Sequence, residues 1–191
     1  EVRRWAEGNK SVYSTERSFW GANDSENATN LMSRTLEDEQ NDIKLCRSYT
    51  YDTKGNQSSA SLWGDLTGRN NGKITLDSNG IPLQGCCDCF VKTTNYCSET
   101  PNVLLNESDG RKSIEYSYLP NTNLNSARII KVGNKIHKRE FYDFDDKSCI
   151  QTIIIDDGSG RGENDLTSIT ERRITNIVNR NEAPIGLPEI I

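Results

Sequence analysis

The sequence predicts a mainly β fold: an antiparallel barrel of about eight strands with one α-helix near the C-terminus. Three observations carry this prediction. Short segments with alternating apolar and polar residues are separated by turn residues along most of the chain. Only 33% of the residues are hydrophobic, which suits a sheet with a polar outer face. A helix-start pattern appears only late in the chain.

The clearest predicted strand covers residues 45–52. Leu45, Tyr49 and Tyr51 share one face there, with the period of two that marks a half-buried strand. Residues 53–56 form a predicted turn, and a second strand follows at 59–67.

Further strands are expected after the second one. The Asn-Asn-Gly sequence at 70–72 is typical of a tight hairpin turn. The remaining predicted strands cover residues 73–76, 103–105, 113–119, 127–132, 135–144 and 149–155. Residues 1–42 are polar and predict only a short strand or helix near 11–20, then a loop or loose helix.

The helix is predicted at 166–180. Ser168 and Glu171 have the spacing of a capping box, in which each side chain bonds the other's backbone amide. Ile169, Ile174, Ile177 and Val178 keep approximate helical spacing before Pro184 ends the pattern. We expect this helix to pack on the outside of the sheet, since so short a helix is not stable alone.

Length and charge limit the possible classes. The 191 residues predict a single domain, 1–191, and the longest apolar run, 153–155, falls far short of the roughly 20 residues of a membrane span. With 23 basic and 28 acidic residues, the net charge of -5 makes nucleic acid a poor partner. We therefore expect no membrane insertion and no nucleic-acid binding.

Several features predict a secreted, extracellular glycoprotein. The chain begins at Glu1 without a methionine or an apolar leader, as a mature protein does after its signal peptide is removed. Five Asn-x-Ser/Thr sequons are candidate glycosylation sites, at Asn9, Asn23, Asn27, Asn56 and Asn106.

Six cysteines support the same compartment, because an even set in a small secreted chain is typical of disulfides. They are Cys46, Cys86, Cys87, Cys89, Cys97 and Cys149. The spacing lacks the paired C-x2-C of a structural zinc site, and only one histidine is present, so no metal is expected. The adjacent Cys86 and Cys87 are expected to bond different partners and to pin a loop at 84–101.

Catalytic chemistry has little support. The single histidine, His137, is flanked by lysines and an arginine in a predicted strand, which does not suit a Ser-His-Asp triad. The acidic stretch at 156–160 lacks the ligand pattern of an EF-hand. We therefore expect a protein that is not an enzyme and has no cofactor.

Three short segments resemble the lipocalins. Gly160-Arg161, the start of the predicted helix at 166–168, and Gly186-Leu187-Pro188-Glu189 are similar to the end of kernel lipocalins, and 141–145 is similar to their Thr-Asp-Tyr turn. Val12-Tyr13, 17–19 and 145–149 resemble the divergent salivary lipocalins of ticks. The resemblance implies an eight-stranded barrel around a ligand and a structural role for Arg161, packed over a tryptophan. Neither Trp5 nor Trp20 has the family's preceding Gly-x, however, and the family's C-terminal cysteine is absent.

A weaker resemblance points to ependymin-related secreted proteins. It rests on residues 115–118, 127–130 and 141–149. This likeness implies a curved antiparallel sheet that holds a hydrophobic ligand. Both resemblances therefore lead to a cupped sheet around an apolar cavity.

The expected function is to carry or sequester a small hydrophobic or amphipathic ligand, such as a lipid, in a barrel cavity. The predicted lining residues are Leu45, Tyr49, Tyr51, Trp63, Ile74, Tyr116, Tyr118, Ile129 and Phe141. The alternative is an extracellular protein-binding module that acts through the disulfide-pinned loop 84–101.

Overall fold

A computed structural model shows a mainly β protein with twelve strands, each antiparallel to its neighbours in chain order. It describes residues 1–5, 12–23, 25–70, 72–83, 85, 87–100, 102–159, 162–163, 165, 169 and 172–177, and contains no helix in these ranges. The chain divides into two compact units, Glu1–Thr94 (unit 1) and Asn95–Ile191 (unit 2).

Unit 1 is an antiparallel meander in which each strand pairs with the next along the chain. Its strands are β1 (Val2–Trp5), β2 (Val12–Trp20), β3 (Leu31–Glu37), β4 (Ile43–Tyr51), β5 (Gln57–Gly64) and β6 (Asp88–Tyr96), whose last two residues belong to unit 2.

Unit 2 repeats this arrangement. Its strands are β7 (Leu104–Ser108), β8 (Lys112–Tyr118), β9 (Asn125–Val132), β10 (Lys135–Phe144), β11 (Ile150–Asp156) and β12 (Arg172–Asn176). The sequence located β4, β5 and β8 to β11 to within a few residues.

The mainly β fold predicted from the sequence is confirmed, but the eight-stranded barrel and the C-terminal helix are wrong. Twelve strands are present, and among the described residues of either unit no pairing joins its first strand to its last. Part of the predicted helix 166–180 is instead β12, where Ile174 lies opposite Ile154 of β11. Ile174 and Thr175 are β-branched, and pairing with β11 overrides the helical spacing. The capping residues Ser168 and Glu171 lie outside the described residues.

Three other expectations from the sequence need correction. The loop or loose helix expected after residue 20 contains strand β3 (Leu31–Glu37). The predicted loop 84–101 contains strand β6, which pairs with β5 from Asp88 to Thr93. The predicted strand at 73–76 forms only one isolated bridge, between Leu76 and Pro82. Three residues of β6, Val91, Thr93 and Thr94, are β-branched and suit a pleated strand.

One aspartate-based turn recurs four times. In each copy the Asp side chain Oδ1 accepts backbone N–H groups two and four residues later, at 2.8–3.0 Å. The Asp backbone N–H also donates to the carbonyl four residues later, and its own carbonyl accepts the N–H three residues later. The four aspartates are Asp38, Asp52, Asp77 and Asp145. We call these the Asp turns.

The fourth residue of every Asp turn has a positive φ. These residues are Asn41 (61°), Gly55 (81°), Gly80 (78°) and Ser148 (63°). A turn closed by a residue in the left-handed region matches the right-handed twist of adjacent strands. Gly and Asn adopt this conformation readily, so the sequence pattern D-x-x-G/N/S-x marks each turn.

The covered face of unit 1 is unusually polar. Cross-strand pairs place Thr35 opposite Cys46 and Ser33 opposite Ser48, and all four residues are buried. Trp63 lies opposite Cys46 and donates from its indole nitrogen to Ser48 Oγ at 2.9 Å. The hydrogen bond satisfies both groups in a site that water does not reach.

The segment 72–83 covers this face. Ile74 packs in one buried cluster with Cys46, Trp63 and Cys87, and Ser33 donates to the carbonyl of Gly80. A side chain at Gly80 would overlap the ring of Phe19. The third Asp turn, at 77–81, therefore brings a glycine to a point where no other residue fits.

We expect Asp145→Ala to lower the free energy of unfolding by about 1–3 kcal/mol, because it leaves two backbone amides without their charged acceptor. Asp146→Ala is the matched control in the same turn, with an exposed carboxylate. Urea unfolding of both variants measures the difference. Equal stability of the two variants would contradict a role for the Asp turn.

The Asp turns also predict a pH dependence. A hydrogen bond from the Asn56 side chain, with backbone amides, holds the pKa of Asp52 below its ordinary value. The Lys44 ammonium does the same for the pKa of Asp38. Because these pKa values are lower in the folded state, their stabilisation is present above the unfolded pKa and is lost as the pH falls through the folded pKa.

We therefore expect the thermal midpoint to fall when the pH is lowered from about 6 to about 3. Asp52→Asn keeps an oxygen acceptor but does not titrate, so its midpoint should depend less on pH. A midpoint that stays constant or rises over this range would show that the turns do not act through ionised carboxylates.

Candidate functional site

An aromatic groove of about 550 Å³ lies on unit 2. Its volume is within the range of small-molecule sites. We call it the tyrosine groove, and its lining residues are Tyr116, Tyr118, Asn123, Leu124, Asn125, Arg128, Tyr142, Phe144 and Ile150.

Strand register brings these side chains together. Tyr116 of β8 lies opposite Arg128 of β9, and Arg128 lies opposite Glu140 of β10. Side chains that are opposite in an antiparallel pair point to the same face of the sheet. Tyr142 is two residues beyond Glu140 and returns to that face. The Asp turn at 145–149 then places Phe144 opposite Ile150.

Hydrogen bonds orient the three phenol rings. Tyr118 donates to the carbonyl of Leu104 at 2.6 Å, and Tyr142 donates to Glu140 Oε2 at 2.8 Å. Tyr116 donates to Glu107 Oε1 at 3.3 Å. Rings held in this way lose little conformational freedom when a ligand covers them.

Two cations share the carboxylate of Glu140. Lys138 Nζ lies 2.6 Å from Oε1, and Arg128 Nη1 lies 3.2 Å from Oε2. Burial tends to raise the pKa of Glu140, but hydrogen bonds from Lys138, Tyr142 and Arg128 outweigh it and lower the pKa. Glu140, which is buried beside the lining residues Arg128 and Tyr142, is therefore an ionised carboxylate between two positive charges.

The phenols remain neutral donors at physiological pH. Burial, followed by the hydrogen bond to Glu140, raises the pKa of Tyr142 to about 12. Burial also raises the pKa of Tyr118 and, with the Glu107 charge, that of Tyr116. The phenol O–H groups donate within the protein, so the groove combines aromatic faces with the guanidinium donors of Arg128.

The predicted lining residues of unit 2 are divided between two faces. Tyr116 and Tyr118 line the tyrosine groove. Ile129 lies opposite Arg139, and Phe141 opposite Ala127, so both face the other side of the sheet. Arg128, Tyr142 and Phe144 were missed, although the alternation of Phe141 with Tyr142 shows that one aromatic residue must lie on each face.

The predicted lining residues of unit 1 form no common pocket among the described residues. Trp63 and Ile74 belong to the buried cluster. In β4 the buried positions are Cys46 and Ser48, while Leu45 and Tyr49 are half-buried on the opposite face. Tyr51 is half-buried and donates to the carbonyl of Leu31 at 2.7 Å. The sequence suggested that the apolar residues of β4 form its inner face, but the segment 72–83 covers the polar face of this strand.

A second groove of about 700 Å³ lies beside β12. We call it the basic groove, and its lining residues are Ile136, His137, Lys138, Ile155, Asp156, Asp157, Arg172 and Arg173. The same sheet face that carries Asp156 holds a fully buried arginine, Arg139.

Every N–H group of the Arg139 guanidinium has an acceptor. Nε and Nη2 bond the two oxygens of Asp156 at 2.8 and 3.1 Å. Nη1 donates to the carbonyls of Gly162 and Glu163, and Nη2 to that of Asp165, at 2.8–2.9 Å. Its central carbon also lies 5.6 Å from the Phe141 ring centroid. Arg139 thus attaches Gly162, Glu163 and Asp165 to the sheet.

The structural arginine predicted from the sequence, Arg161, lies outside the described residues. Arg139 was not predicted, because a basic stretch in a strand is usually solvated. One feature of the sequence indicated its position: Arg139 lies two residues before Phe141, so the two side chains point to the same face of the strand.

The cysteines are thiols in the structure. Cys46 and Cys87 are buried, Cys97 and Cys149 are half-buried, and Cys89 is exposed, with no disulfide among these five. Cys86 lies outside the described residues.

The sequons differ in accessibility. Asn23 is exposed and Asn27 half-buried, and Asn106 accepts a hydrogen bond from Asn95 at 2.8 Å. Asn56 is buried, and its Nδ2, the atom that would carry a glycan, donates to Asp52 at 2.9 Å. Asn9 lies outside the described residues.

Two further features are absent from the described ranges. No three His, Cys, Asp or Glu side chains gather there as ligands for a metal ion. The same ranges hold no helix with the length and apolar character needed to cross a bilayer.

Comparisons with known proteins give distant structural matches. No family model and no curated protein matches the chain. A Tc holotoxin pore from Photorhabdus luminescens is 13% identical over 78% of this chain, with a TM-score of 0.34. A TcdB2-TccC3-Cdc42 structure is 15% identical over 80%, with a TM-score of 0.36. The matches span 9% and 10% of those chains. At these scores the likeness carries no argument about fold or function.

We expect Arg139→Met to lower the free energy of unfolding by about 3–5 kcal/mol, because it leaves the buried Asp156 carboxylate without its cation. Arg34→Met removes an exposed ion pair with Glu16 and should cost at most about 1 kcal/mol. Denaturant unfolding of the two variants provides the comparison. The double variant Arg139→Met/Asp156→Leu should recover part of the loss, and no recovery would show that the pair itself is not the cause.

Proposed function

We propose that this protein binds a small hydrophobic or amphipathic ligand in the tyrosine groove of unit 2. The observation that carries the proposal is the convergence of three oriented phenols, Phe144 and Arg128 on one groove of about 550 Å³. Two of the phenols, Tyr116 and Tyr118, were also expected from the sequence to line a ligand site.

The groove favours an aromatic or alkyl body. Tyr116, Tyr118, Tyr142 and Phe144 offer ring faces, and their burial under a ligand removes apolar surface from water. Leu124 extends this surface. An apolar ligand gains most of its affinity from such contacts, and the fixed rings limit the entropic cost of binding.

The polar group that Arg128 contributes to the tyrosine groove suits a ligand with a hydrogen-bond acceptor at one end. The Arg128 guanidinium is about one-third exposed and carries several N–H donors. Glu140 is shared with Lys138, so it neutralises only part of the local positive charge. An amphipathic ligand would direct its polar end to Arg128 and its apolar body along the rings.

The proposed carrier acts outside the cell, without a cofactor and without a catalytic step. The sequons and the even number of cysteines support this setting. The ligand would be held and released rather than transformed, as in transport or sequestration.

An alternative is an extracellular protein-binding module that uses the segment 84–101. One observation favours it: Phe90 and Val91 of β6 are 52% and 43% exposed. Because consecutive residues of a strand point to opposite faces, each face of β6 carries one exposed apolar side chain for a partner to contact. In this alternative the tyrosine groove has no ligand.

The test uses two fluorescent naphthylamine probes, one neutral (N-phenyl-1-naphthylamine) and one anionic (1-anilinonaphthalene-8-sulfonate). Phe144→Ala should weaken binding of both roughly tenfold, since it removes one ring from the groove. Phe90→Ala is the matched control, a phenylalanine outside the groove, and should leave both dissociation constants unchanged. Circular dichroism confirms that both variants are folded.

A third variant, Arg128→Gln, should weaken the anionic probe more than the neutral one. The carrier proposal is overturned if neither probe binds, or if Phe90→Ala reduces binding as much as Phe144→Ala. Loss of capture of an extracellular protein with Phe90→Ala alone would support the alternative.

A further inference from the structure

Two cysteines lie in the buried cluster of unit 1. Cys46 in β4 is 0% exposed, and Cys87, directly before β6, is 9% exposed. Trp63 and Ile74 complete the cluster. The two thiols are close enough to influence one another electrostatically, and this interaction contributes to the raised pKa of Cys46.

We propose that Cys46 and Cys87 are the partners of a disulfide that forms when the chain folds in an oxidising environment. The two side chains occupy the same dry interior, where a bond between them replaces two buried thiols without exposing a new group. Neither residue belongs to the tyrosine groove, so this proposal is independent of ligand binding.

Strand register excludes the other nearby partner, Cys89. Cys46 lies opposite Trp63, and Trp63 lies opposite Cys89, so the two cysteines are separated by two strand spacings, or roughly 10 Å. A disulfide requires Cα atoms within about 7 Å. This constraint does not apply to Cys87, because it precedes the ladder, which begins at Asp88, and lies in the same buried cluster as Cys46.

The reaction is thiol-disulfide exchange with a low-molecular-weight disulfide such as oxidised glutathione. The Cys87 thiolate attacks one sulfur of this oxidant, forms a mixed disulfide and releases one thiolate. The Cys46 thiolate then attacks the Cys87 sulfur and releases the second. Two protons and two electrons leave the cysteine pair, and the oxidant becomes two thiols.

Burial determines when this exchange is possible. Burial raises the pKa of the Cys46 thiol to about 12, so its thiolate is almost absent at neutral pH in the folded state. The exchange is therefore expected before the core closes rather than after it. Once formed, the bond is protected from reductants by the same burial.

The bond would close a loop that contains β5 and the covering segment 72–83. In the chain-entropy account, cross-linking across roughly 40 residues lowers the unfolding equilibrium constant by about a thousandfold. The polar face of unit 1 would be held under its cover by this single covalent link.

The experiment refolds the full-length chain in a glutathione redox buffer, blocks remaining thiols with iodoacetamide, and maps cross-linked peptides by mass spectrometry without reduction. A peptide that joins the Cys46 segment to the segment of Cys86 and Cys87 is expected. Cys86→Ser should keep this cross-link, and Cys87→Ser should lose it.

Stability provides a second measurement. Reducing the wild type or the matched control Cys89→Ser should raise the unfolding equilibrium constant by about a thousandfold, whereas reducing Cys87→Ser should have little effect on unit 1. An alkylated Cys46, or a Cys46 cross-linked to another cysteine in the wild type, overturns the proposal. If Cys87→Ser does not fold, the wild-type and Cys86→Ser peptide maps still decide the question.

Discussion

An aspartate carboxylate that accepts two backbone amides is the interaction on which the meander depends. It recurs at Asp38, Asp52, Asp77 and Asp145 with the same four hydrogen bonds. Each copy satisfies amides that a tight turn would otherwise leave to solvent, and the copies at Asp38, Asp52 and Asp145 fix the pairing register of the strands that they connect. Because a slip of one residue would exchange the two faces of a strand, the turns decide which side chains are covered.

The grooves of unit 2 follow from this register. The turn at 145–149 sets Phe144 beside Ile150, and the pairing of β8, β9 and β10 aligns Tyr116, Arg128 and Glu140 in one row across the sheet. The opposite face carries Arg139, whose guanidinium is fully bonded. One strand, β10, therefore supplies Tyr142 and Phe144 to the tyrosine groove on one side and an anchoring cation on the other, through alternation alone.

Sequence reasoning reached the strands but not their arrangement. The alternation at 45–52 and the turn at 53–56 located local structure, because their causes lie within a few residues. The face of β4 was wrong because the covering segment 72–83 decides it, and the helix was wrong because β11 offers Ile174 a partner. Tyr116 and Tyr118 were recognised as candidates, whereas Arg128 and Tyr142 needed the register between strands. The repeated Asp pattern was visible in the sequence, although the copy at 38–42 resembled a simple acidic run.

The polar interior of unit 1 affects how its stability changes with temperature. Ser33, Thr35 and Ser48 occupy positions that aliphatic side chains usually fill, with Trp63 as the main apolar contribution. Unfolding such a unit hydrates polar groups together with apolar ones, and these two contributions to the heat capacity have opposite signs. Unit 1 should consequently have a small heat-capacity change for its length and a broad, flat stability curve. Its resistance to cold would then depend less on the hydrophobic effect than that of a domain with an aliphatic core.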